Sequence, residues 1–244
     1  MDTILEARDL AFSLAGKQIF QNLHFRLRRG EFYVLLGPSG GGKSALLKLF
    51  SGLFPPSQGR VEIEGVNLAA ASRETLQGIR IKMGFIFQDA ALISNMSIYD
   101  NIALPLRYHT RWTEAEVKAR VDEEMARFEV DRQYDQSIPA QLSLGMRQRA
   151  AFARAFVLEP QLLFLDEPAT GLGGEAEFFV LKVLKDYHRE KGATLLMATT
   201  ARHLAFALAD RIGLLENGRM VAEGSTREIH DRLGPMKPPD SWSA

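Results

Sequence analysis

Alternating hydrophobic and polar residues in the first part of the chain predict β-strands. Period-two alternation occurs in three segments, residues 4–12, 23–27 and 60–64. The third segment places charged residues around Val61 and Ile63 and stops at Gly65, a pattern that favours an edge strand. Two uninterrupted apolar runs, residues 32–36 and 83–87, predict short buried strands instead.

The middle of the chain has the spacing of helices. Thr113 and Glu116 match a capping box. Apolar residues then recur on one helical face, at Val117, Val121, Met125 and Phe128. A second helix, rich in Ala and Arg, is predicted from about Gly145 to Phe156.

Strand and helix patterns alternate in the last third of the chain. Apolar runs at 162–165 and 194–198 predict buried strands on either side of a helix from Glu177 to Arg189. Asn217 and Gly218 lie between two further strand patterns and favour a type I′ hairpin turn. This order predicts a mixed α/β core that is interrupted by a helical insertion at about 89–157.

A glycine-rich run between the strand at 32–36 and the next apolar helix pattern carries the strongest chemical signal. A strand, this loop and a helix, ending in Gly-Lys-Ser, are the context of a phosphate-binding P-loop. Backbone N–H groups of such a loop and the helix N-terminus attract phosphate. Lys43 would reach the β- and γ-phosphates, and Ser44 would ligate Mg²⁺. The sequence therefore predicts ATP or GTP binding by Gly37, Pro38, Ser39, Gly40, Gly41, Gly42, Lys43 and Ser44.

Two carboxylates follow the predicted strand at 162–165. Asp166 would hold Mg²⁺ through water, and Glu167 would accept a proton from the attacking water or orient it. Gln88 follows the strand at 83–87, where its amide could touch Mg²⁺ and the water. These residues predict a nucleotide-hydrolysing site.

Composition narrows the classes of partner. Lys and Arg number 30, equal to Asp and Glu, so broad nucleic-acid or anionic-membrane binding has no electrostatic basis. No cysteine is present, which excludes disulfides, thiolate zinc sites and cysteine nucleophiles. No apolar run approaches the ~20 residues of a membrane span, and the first residues are not a signal peptide. We expect a cytoplasmic protein. If it acts at a membrane, partner proteins would hold it there.

The run from Leu142 to Arg149 resembles the LSGGQ signature of ABC transporter ATPases. Together with the P-loop, Gln88 and the Asp166 region, the resemblance extends from about Ile4 to Gly224. It implies an α/β, RecA-like P-loop NTPase core with an N-terminal antiparallel β subdomain and an inserted helical subdomain. The predicted division is a core at 1–88 and 158–225, a helical subdomain at 89–157 and a C-terminal tail at 226–244.

The resemblance also implies how nucleotide is held. Two such subunits face each other, and each ATP lies between the P-loop of one and the signature of the other, here Ser143, Leu144, Gly145 and Met146. Mg²⁺ would be held by Ser44, Gln88 and Asp166. We expect a second ABC ATPase subunit as partner, with a homodimer favoured over a heterodimer, and ATP and Mg²⁺ as cofactors. The catalytic positions would be Lys43, Gln88, Glu167 and Thr200.

The segment 87–107 and Met146 resemble a subgroup, the ATPases of MCE-type lipid transporters that maintain lipid asymmetry. This resemblance implies a membrane permease, docked after Gln88, and a periplasmic or membrane-anchored MCE lipid-binding protein. It also implies phospholipid as cargo and a peripheral position on the cytoplasmic face of the inner membrane. Amino-acid import, lipoprotein release and a soluble role remain alternatives.

Four positions depart from the family pattern. Leu14 replaces the aromatic residue that stacks on adenine, and Leu144 replaces the first glycine of the signature. Gly173 stands where the family has an aspartate. Thr200 stands where the family has the switch histidine, and His203 follows three residues later. A side chain at Leu144 would be awkward if the backbone there were glycine-like. These departures predict a slow or partner-dependent ATPase. The alternative is a nucleotide-gated regulatory subunit with negligible turnover, which the intact Glu167 argues against.

Overall fold

A computed structural model of the chain describes residues 2–234, which belong to two compact units. The first unit combines the residues up to Ala69 with those from Leu196 onward, and the second runs from Ala70 to Leu195. The predicted domain limits at 88/89 and 157/158 differ from these boundaries and remain a prediction. The proline-containing segment 235–244 lies outside the described residues.

Within residues 2–234, the first unit contains two groups of strands and three helices. Its strands are β1 (Thr3–Leu14), β2 (Lys17–Arg28), β3 (Phe32–Leu36), β4 (Gln58–Ile63), β5 (Val66–Asn67), most of β8 (Thr194–Thr199), β9 (Arg211–Glu216) and β10 (Arg219–Ser225). Its helices are α1 (Lys43–Phe50), α7 (Arg202–Leu208) and α8 (Thr226–Leu233). The helix α8 lies in the segment that the sequence assigned to a tail.

Four of these strands form an antiparallel sheet in the order β2-β1-β4-β5. The register pairs Leu5 with Leu27 on one side and with Ile63 on the other, and all three side chains are buried. The prediction that the Val61 strand is an edge is wrong, because the two-residue strand β5 pairs with the outer side of β4. So short a strand has no readable sequence pattern.

The strand β3 precedes the P-loop and is buried at all five positions. It runs parallel to β9, with Tyr33 opposite Arg211 and Leu36 opposite Leu214, and β10 returns antiparallel to β9. The predicted hairpin turn is confirmed by the left-handed backbone of both central residues, Asn217 at φ 47° and Gly218 at φ 74°. Continuous burial of β3 fixes the position from which the P-loop leaves the sheet.

The second unit combines strands with a helical segment. Its elements are α2 (Arg73–Ile81), β6 (Met83–Ile86), α3 (Ile98–His109), α4 (Glu114–Arg127), α5 (Leu144–Phe156), β7 (Leu162–Asp166), α6 (Gly174–Lys191) and the start of β8. The strands β6 and β7 are parallel, and Met83 pairs with Leu162. The predicted capping box of Thr113 and Glu116 is confirmed, and its helix buries the predicted face, Val117, Val121, Met125 and Phe128.

Aromatic side chains hold the helices of the second unit together. The ring of Phe156 on α5 contacts Phe128 at 5.1 Å and Tyr187 of α6 at 4.6 Å, in edge-to-face geometry. Tyr187 donates its hydroxyl to the carbonyl oxygen of Pro160, so the buried phenol keeps a partner. No helix within residues 2–234 is long and apolar enough to cross a membrane.

Candidate active site

The P-loop connects the end of β3 at Leu36 to the start of α1 at Lys43. Gly40 and Gly42 have left-handed backbones, with φ values of 75° and 99°, which favour glycine. Lys43 is only 5% exposed, and its Nζ donates to the carbonyl oxygens of Gly37 at 2.9 Å and Pro38 at 3.0 Å. The ammonium group is thereby held over the loop, where the sequence predicted a phosphate.

Neighbouring backbone restricts side chains at two of the P-loop glycines. A Cβ at Gly37 would collide with the carbonyl oxygen of Leu215 in β9. A Cβ at Gly41 would lie 3.2 Å from that oxygen and 3.1 Å from the carbonyl oxygen of Pro38. At Gly42 the obstacle is instead the ring of Phe20, 2.9 Å from the added Cβ. Glycine is therefore required at Gly37, because the backbone that a side chain would strike cannot be made smaller, and at Gly42 because of its left-handed φ of 99°.

The residues present fit the phosphates of a nucleotide. Gly42 is the N-cap of α1 and has no side chain to cap the helix, so the first N–H groups face the loop. Lys43 adds a positive charge beside them, and Ser44, the second residue of α1, brings a hydroxyl. An anion with several oxygens matches this set of donors.

Leu14, the residue predicted at the adenine, ends β1 with its side chain 51% exposed. It lines an open, mostly apolar pocket of about 410 Å³ together with Phe12, Phe54 and Pro55. The rings of Phe12 and Phe54 are stacked there with centroids 5.7 Å apart. The side chain of Leu14 thus belongs to an apolar surface. Contact between Leu14 and a nucleotide base stays a prediction.

Thr200 directly follows Thr199, the last residue of β8, which is hydrogen-bonded to the P-loop. The N–H of Gly37 donates to the carbonyl oxygen of Thr199 at 3.4 Å. The Oγ1 of Thr199 accepts from the N–H of Ala201 at 3.1 Å, which fixes the turn around exposed Thr200. His203 is the second residue of α7, and its side chain is exposed while α7 buries Leu204, Ala205 and Leu208. Thr200 is therefore the chain neighbour of a residue that is hydrogen-bonded to the start of the P-loop, and its role at the phosphate stays a prediction.

The predicted carboxylate pair lies at the end of β7 in the second unit. Asp166 is the last residue of β7, and Asp166 and Glu167 are buried, with exposures of 4% and 7%. Glu167 has a left-handed backbone at φ 47°. Its Oε2 accepts a hydrogen bond of 2.9 Å from the Thr170 hydroxyl. This tight turn holds the Glu167 carboxylate at the end of the strand.

The signature residues begin α5. Ser143 is the N-cap, and its Oγ accepts from the N–H of Met146 at 3.3 Å. Leu144 is 41% exposed and takes up ordinary helical backbone as the first residue of α5, so the expected strain from a side chain there is absent. Gly145 follows in the same turn. From the next turn, Gln148 donates its Nε2 to the carbonyl oxygen of Pro168 at 3.1 Å, linking α5 to the turn after Glu167.

Gln88 lies in an exposed turn after β6, followed by two residues with unusual backbone. Ala90 and Ala91 both have left-handed φ values, 64° and 43°. Arg154 of α5 donates to the carbonyl oxygens of both, at 3.0 and 2.7 Å. Burial lowers the pKa of Arg154, and the nearby Asp89 opposes that effect. The segment after Gln88 is therefore held by the half-buried guanidinium group of Arg154.

Sequence reasoning missed four residues that shape the site: Leu215, Gln148, Arg154 and Thr170. Leu215 contacts the P-loop through its backbone, so no side-chain pattern could have shown it. Gln148 and Arg154 lie inside the predicted Ala- and Arg-rich helix, where polar side chains among the alanines were the available signal. Within residues 2–234, no group of three or more His, Asp or Glu is arranged for a metal ion.

A glycine-rich loop between a buried parallel strand and a helix defines the class of P-loop nucleotide-binding proteins. Residues 20–170 match the family model described as ABC transporter. The chain belongs to the ABC transporter family. The predicted family and its cofactors, ATP with Mg²⁺, are confirmed.

The probable ribonucleotide transport ATP-binding protein mkl of Mycobacterium tuberculosis is 36% identical over 94% of this chain and 63% of its own length. The chain therefore spans less than two thirds of that relative. The intermembrane phospholipid transport system ATP-binding protein MlaF of Escherichia coli is 32% identical over 95% of this chain and 86% of its own.

A solved structure gives the same fold. It shows an ATP-binding cassette as a dimer in a post-hydrolysis state bound to ADP and Pi. It matches with a TM-score of 0.85 and 28% identity, over 92% of this chain and 99% of the other. The predicted fold class, an α/β P-loop NTPase with an antiparallel β subdomain and a helical insertion, is confirmed.

Proposed function

We propose that this chain is the ATP-hydrolysing subunit of an ABC transporter. The observation that carries the proposal is the P-loop, where Lys43 is held over a glycine loop that backbone contacts keep open to an anion. A buried Asp166 and Glu167 at the end of β7 add the carboxylates that hydrolysis needs. Bound Mg²⁺ would neutralise phosphate charge, held by Ser44, Gln88 and Asp166.

Each remaining site residue has a role in this proposal. The loop from Gly37 to Ser44 binds the phosphates, and Leu14 packs on the base. Glu167 accepts the proton of the attacking water, with Gln88 and Thr200 beside the reacting phosphate. Ser143 and its three successors complete the site of a second subunit, which we propose is another copy of this chain.

The departures from the family pattern support slow turnover. Thr200 offers a hydroxyl where a histidine would contact the γ-phosphate, and Gly173 offers no carboxylate. Loss of one such donor costs about 3 kcal/mol of transition-state stabilisation, or roughly a hundredfold in rate. Leu144 adds no backbone strain, so the signature helix keeps its N-terminal donors.

We propose phospholipid as the cargo. The similarity to MlaF over 95% of the chain supports this choice, as does the resemblance in segment 87–107. The partners would be a membrane permease, bound near the segment after Gln88, and an MCE lipid-binding protein. The chain would then lie peripherally on the cytoplasmic face of the inner membrane.

Steady-state ATP hydrolysis tests the enzymatic part, with and without the membrane partners. We expect slow Mg²⁺-dependent turnover that Glu167→Gln abolishes and that Glu175→Gln, at an exposed carboxylate on α6, leaves unchanged. Tight ATP binding without turnover in either setting would overturn hydrolysis and favour a nucleotide-gated clamp.

Purification of the complex from membranes tests the cargo. We expect the chain to bring down a permease, and phospholipid with it. A permease for a polar solute, with no lipid above the level of a mock purification, would overturn the lipid assignment and leave the ATPase assignment in place.

A further inference from the structure

The side chain of Thr170 is hydrogen-bonded to the candidate catalytic carboxylate. The Thr170 hydroxyl donates to Oε2 of Glu167 at 2.9 Å. Thr170 itself is exposed, whereas Glu167 is 7% exposed. An exposed residue thus contributes a donor to a carboxylate that is otherwise enclosed by protein.

The backbone fixes this contact independently of the two side chains. The N–H of Thr170 donates to the carbonyl oxygen of Glu167 at 3.1 Å, closing a four-residue turn. The Nε2 of Gln148 holds the carbonyl oxygen of Pro168 in the middle of the turn at 3.1 Å. The left-handed backbone of Glu167 persists because these bonds hold it. These bonds therefore fix the backbone positions from which the Thr170 hydroxyl and the Glu167 carboxylate meet.

A hydrogen bond to one carboxylate oxygen restricts rotation of the group. Glutamate has three side-chain torsions, and the last is broad, so an isolated carboxylate samples many orientations. A general base must lie within hydrogen-bond reach of the water it deprotonates, so orientation affects the rate. A threonine hydroxyl provides this restraint without adding charge.

We propose that Thr170 is a positioning residue for Glu167. The inference rests on the proposed function, in which Glu167 activates the attacking water. Thr170 acts only through Glu167, so its removal changes kcat and leaves ATP binding intact.

The variant Thr170→Val tests this role in the complex with its membrane partners, because valine keeps the shape and removes the hydroxyl. We expect kcat for ATP to fall about tenfold with KM unchanged, and Thr170→Ser to restore the rate to within about twofold. The matched control is Thr75→Val, since Thr75 is also exposed and also bonds a side chain three residues earlier, Ser72 at 2.9 Å. Its kcat should equal that of the wild type.

A double variant separates positioning from a general structural effect. In the Glu167→Asp background, which keeps a carboxylate but draws it back from the Thr170 hydroxyl by one methylene, Thr170→Val should change the remaining rate by less than about twofold. Independent losses that multiply would overturn the inference, as would a wild-type kcat in Thr170→Val alone. Thr170→Ala should repeat the result of Thr170→Val.

The two levels of failure are distinguishable. If Glu167→Gln abolishes turnover while Thr170→Val matches the wild type, only the role of Thr170 is wrong. If the wild type shows no turnover, or Glu167→Gln retains it, the proposed function fails and the inference fails with it.

Discussion

The N–H of Gly218, in the turn between β9 and β10, donates to the carbonyl oxygen of Gly41 in the P-loop at 3.3 Å. The same glycine packs against the carbonyl oxygen of Ile19 in β2. The hairpin turn is thus wedged between a strand of the antiparallel sheet and the phosphate-binding loop. Its conformation contributes to the shape of that loop.

Gly218→Ala should therefore lower both stability and nucleotide affinity. The matched control is Gly65→Ala, because Gly65 has a similar φ of 77° but no atom within 4 Å of an added Cβ. We expect about 1 kcal/mol of destabilisation for the control and at least about 3 kcal/mol for Gly218→Ala. Denaturant unfolding and titration with a fluorescent ATP analogue measure the two effects. Equal losses of unfolding free energy for the two variants would show that the close packing of Gly218 against Ile19 does not contribute to stability.

Arg154→Met should destabilise the protein. The substitution leaves the carbonyl oxygens of Ala90 and Ala91 without their guanidinium partner while keeping an apolar stem of similar length. We expect a loss of about 2–4 kcal/mol in the free energy of unfolding. Arg189→Met is the control, because Arg189 pairs with Asp186 at the surface and is 71% exposed. A loss of unfolding free energy below about 1 kcal/mol for Arg154→Met would contradict the stabilising role of the Arg154 hydrogen bonds.

Asn101→Asp should be much more harmful than its size suggests. The Nδ2 of this fully buried amide donates to the carbonyl oxygens of Ile93, Met96 and Ser97. An aspartate would place an oxygen against all three, and we expect a loss of about 3 kcal/mol at pH 7. In Asn67→Asp the Oδ1 that accepts from Ala69 is retained, so that control should unfold like the wild type. Thermal unfolding of both variants provides the comparison.

Glu6 should give the protein a measurable acid dependence. Hydrogen bonds from Arg8 and then Arg26 lower the pKa of Glu6 from 4.5 to about 2. Because the folded pKa is depressed, the stabilisation is fully present above pH 4.5 and is lost as the pH falls towards 2. Glu6→Gln should flatten that part of the curve of unfolding free energy against pH.

The control for Glu6 is Glu190→Gln, which removes an exposed carboxylate 3.6 Å from Arg189. Its unfolding curve between pH 4.5 and 2 should follow that of the wild type. A Glu6→Gln curve with the same slope as the wild type would contradict the prediction.

Local sequence was sufficient for the elements whose pattern is contiguous. The P-loop lies in one run of eight residues, and the Asn217–Gly218 turn depends on two residues that favour left-handed backbone. The helix α3 was not predicted individually. Ile98, Ile102 and Leu106 are spaced as one helical face, but Pro105 is a residue that usually argues against a helix interior. The helix α8 buries only Ile229, so the capping box of Ser225 and Glu228 was its sole readable signal.

The supporting parts of the site depend on contacts between distant residues. Thr170 lies near Glu167 in sequence, but whether its hydroxyl reaches the carboxylate depends on a left-handed backbone at Glu167. Arg154 reaches Ala90 and Ala91 across more than sixty residues. Residue types predicted the chemistry of the site, whereas its mechanical support required the structure.

The P-loop glycines also determine which genetic suppressors can exist. A side chain at Gly42 would strike the ring of Phe20, so a smaller residue at Phe20 would relieve that steric clash, although not the left-handed backbone. A side chain at Gly37 would strike the main chain of Leu215, which every amino acid shares. A smaller residue at Phe20 should therefore restore only part of the function lost in Gly42→Ala, because the backbone strain stays, whereas a screen of Gly37→Ala should recover only true revertants.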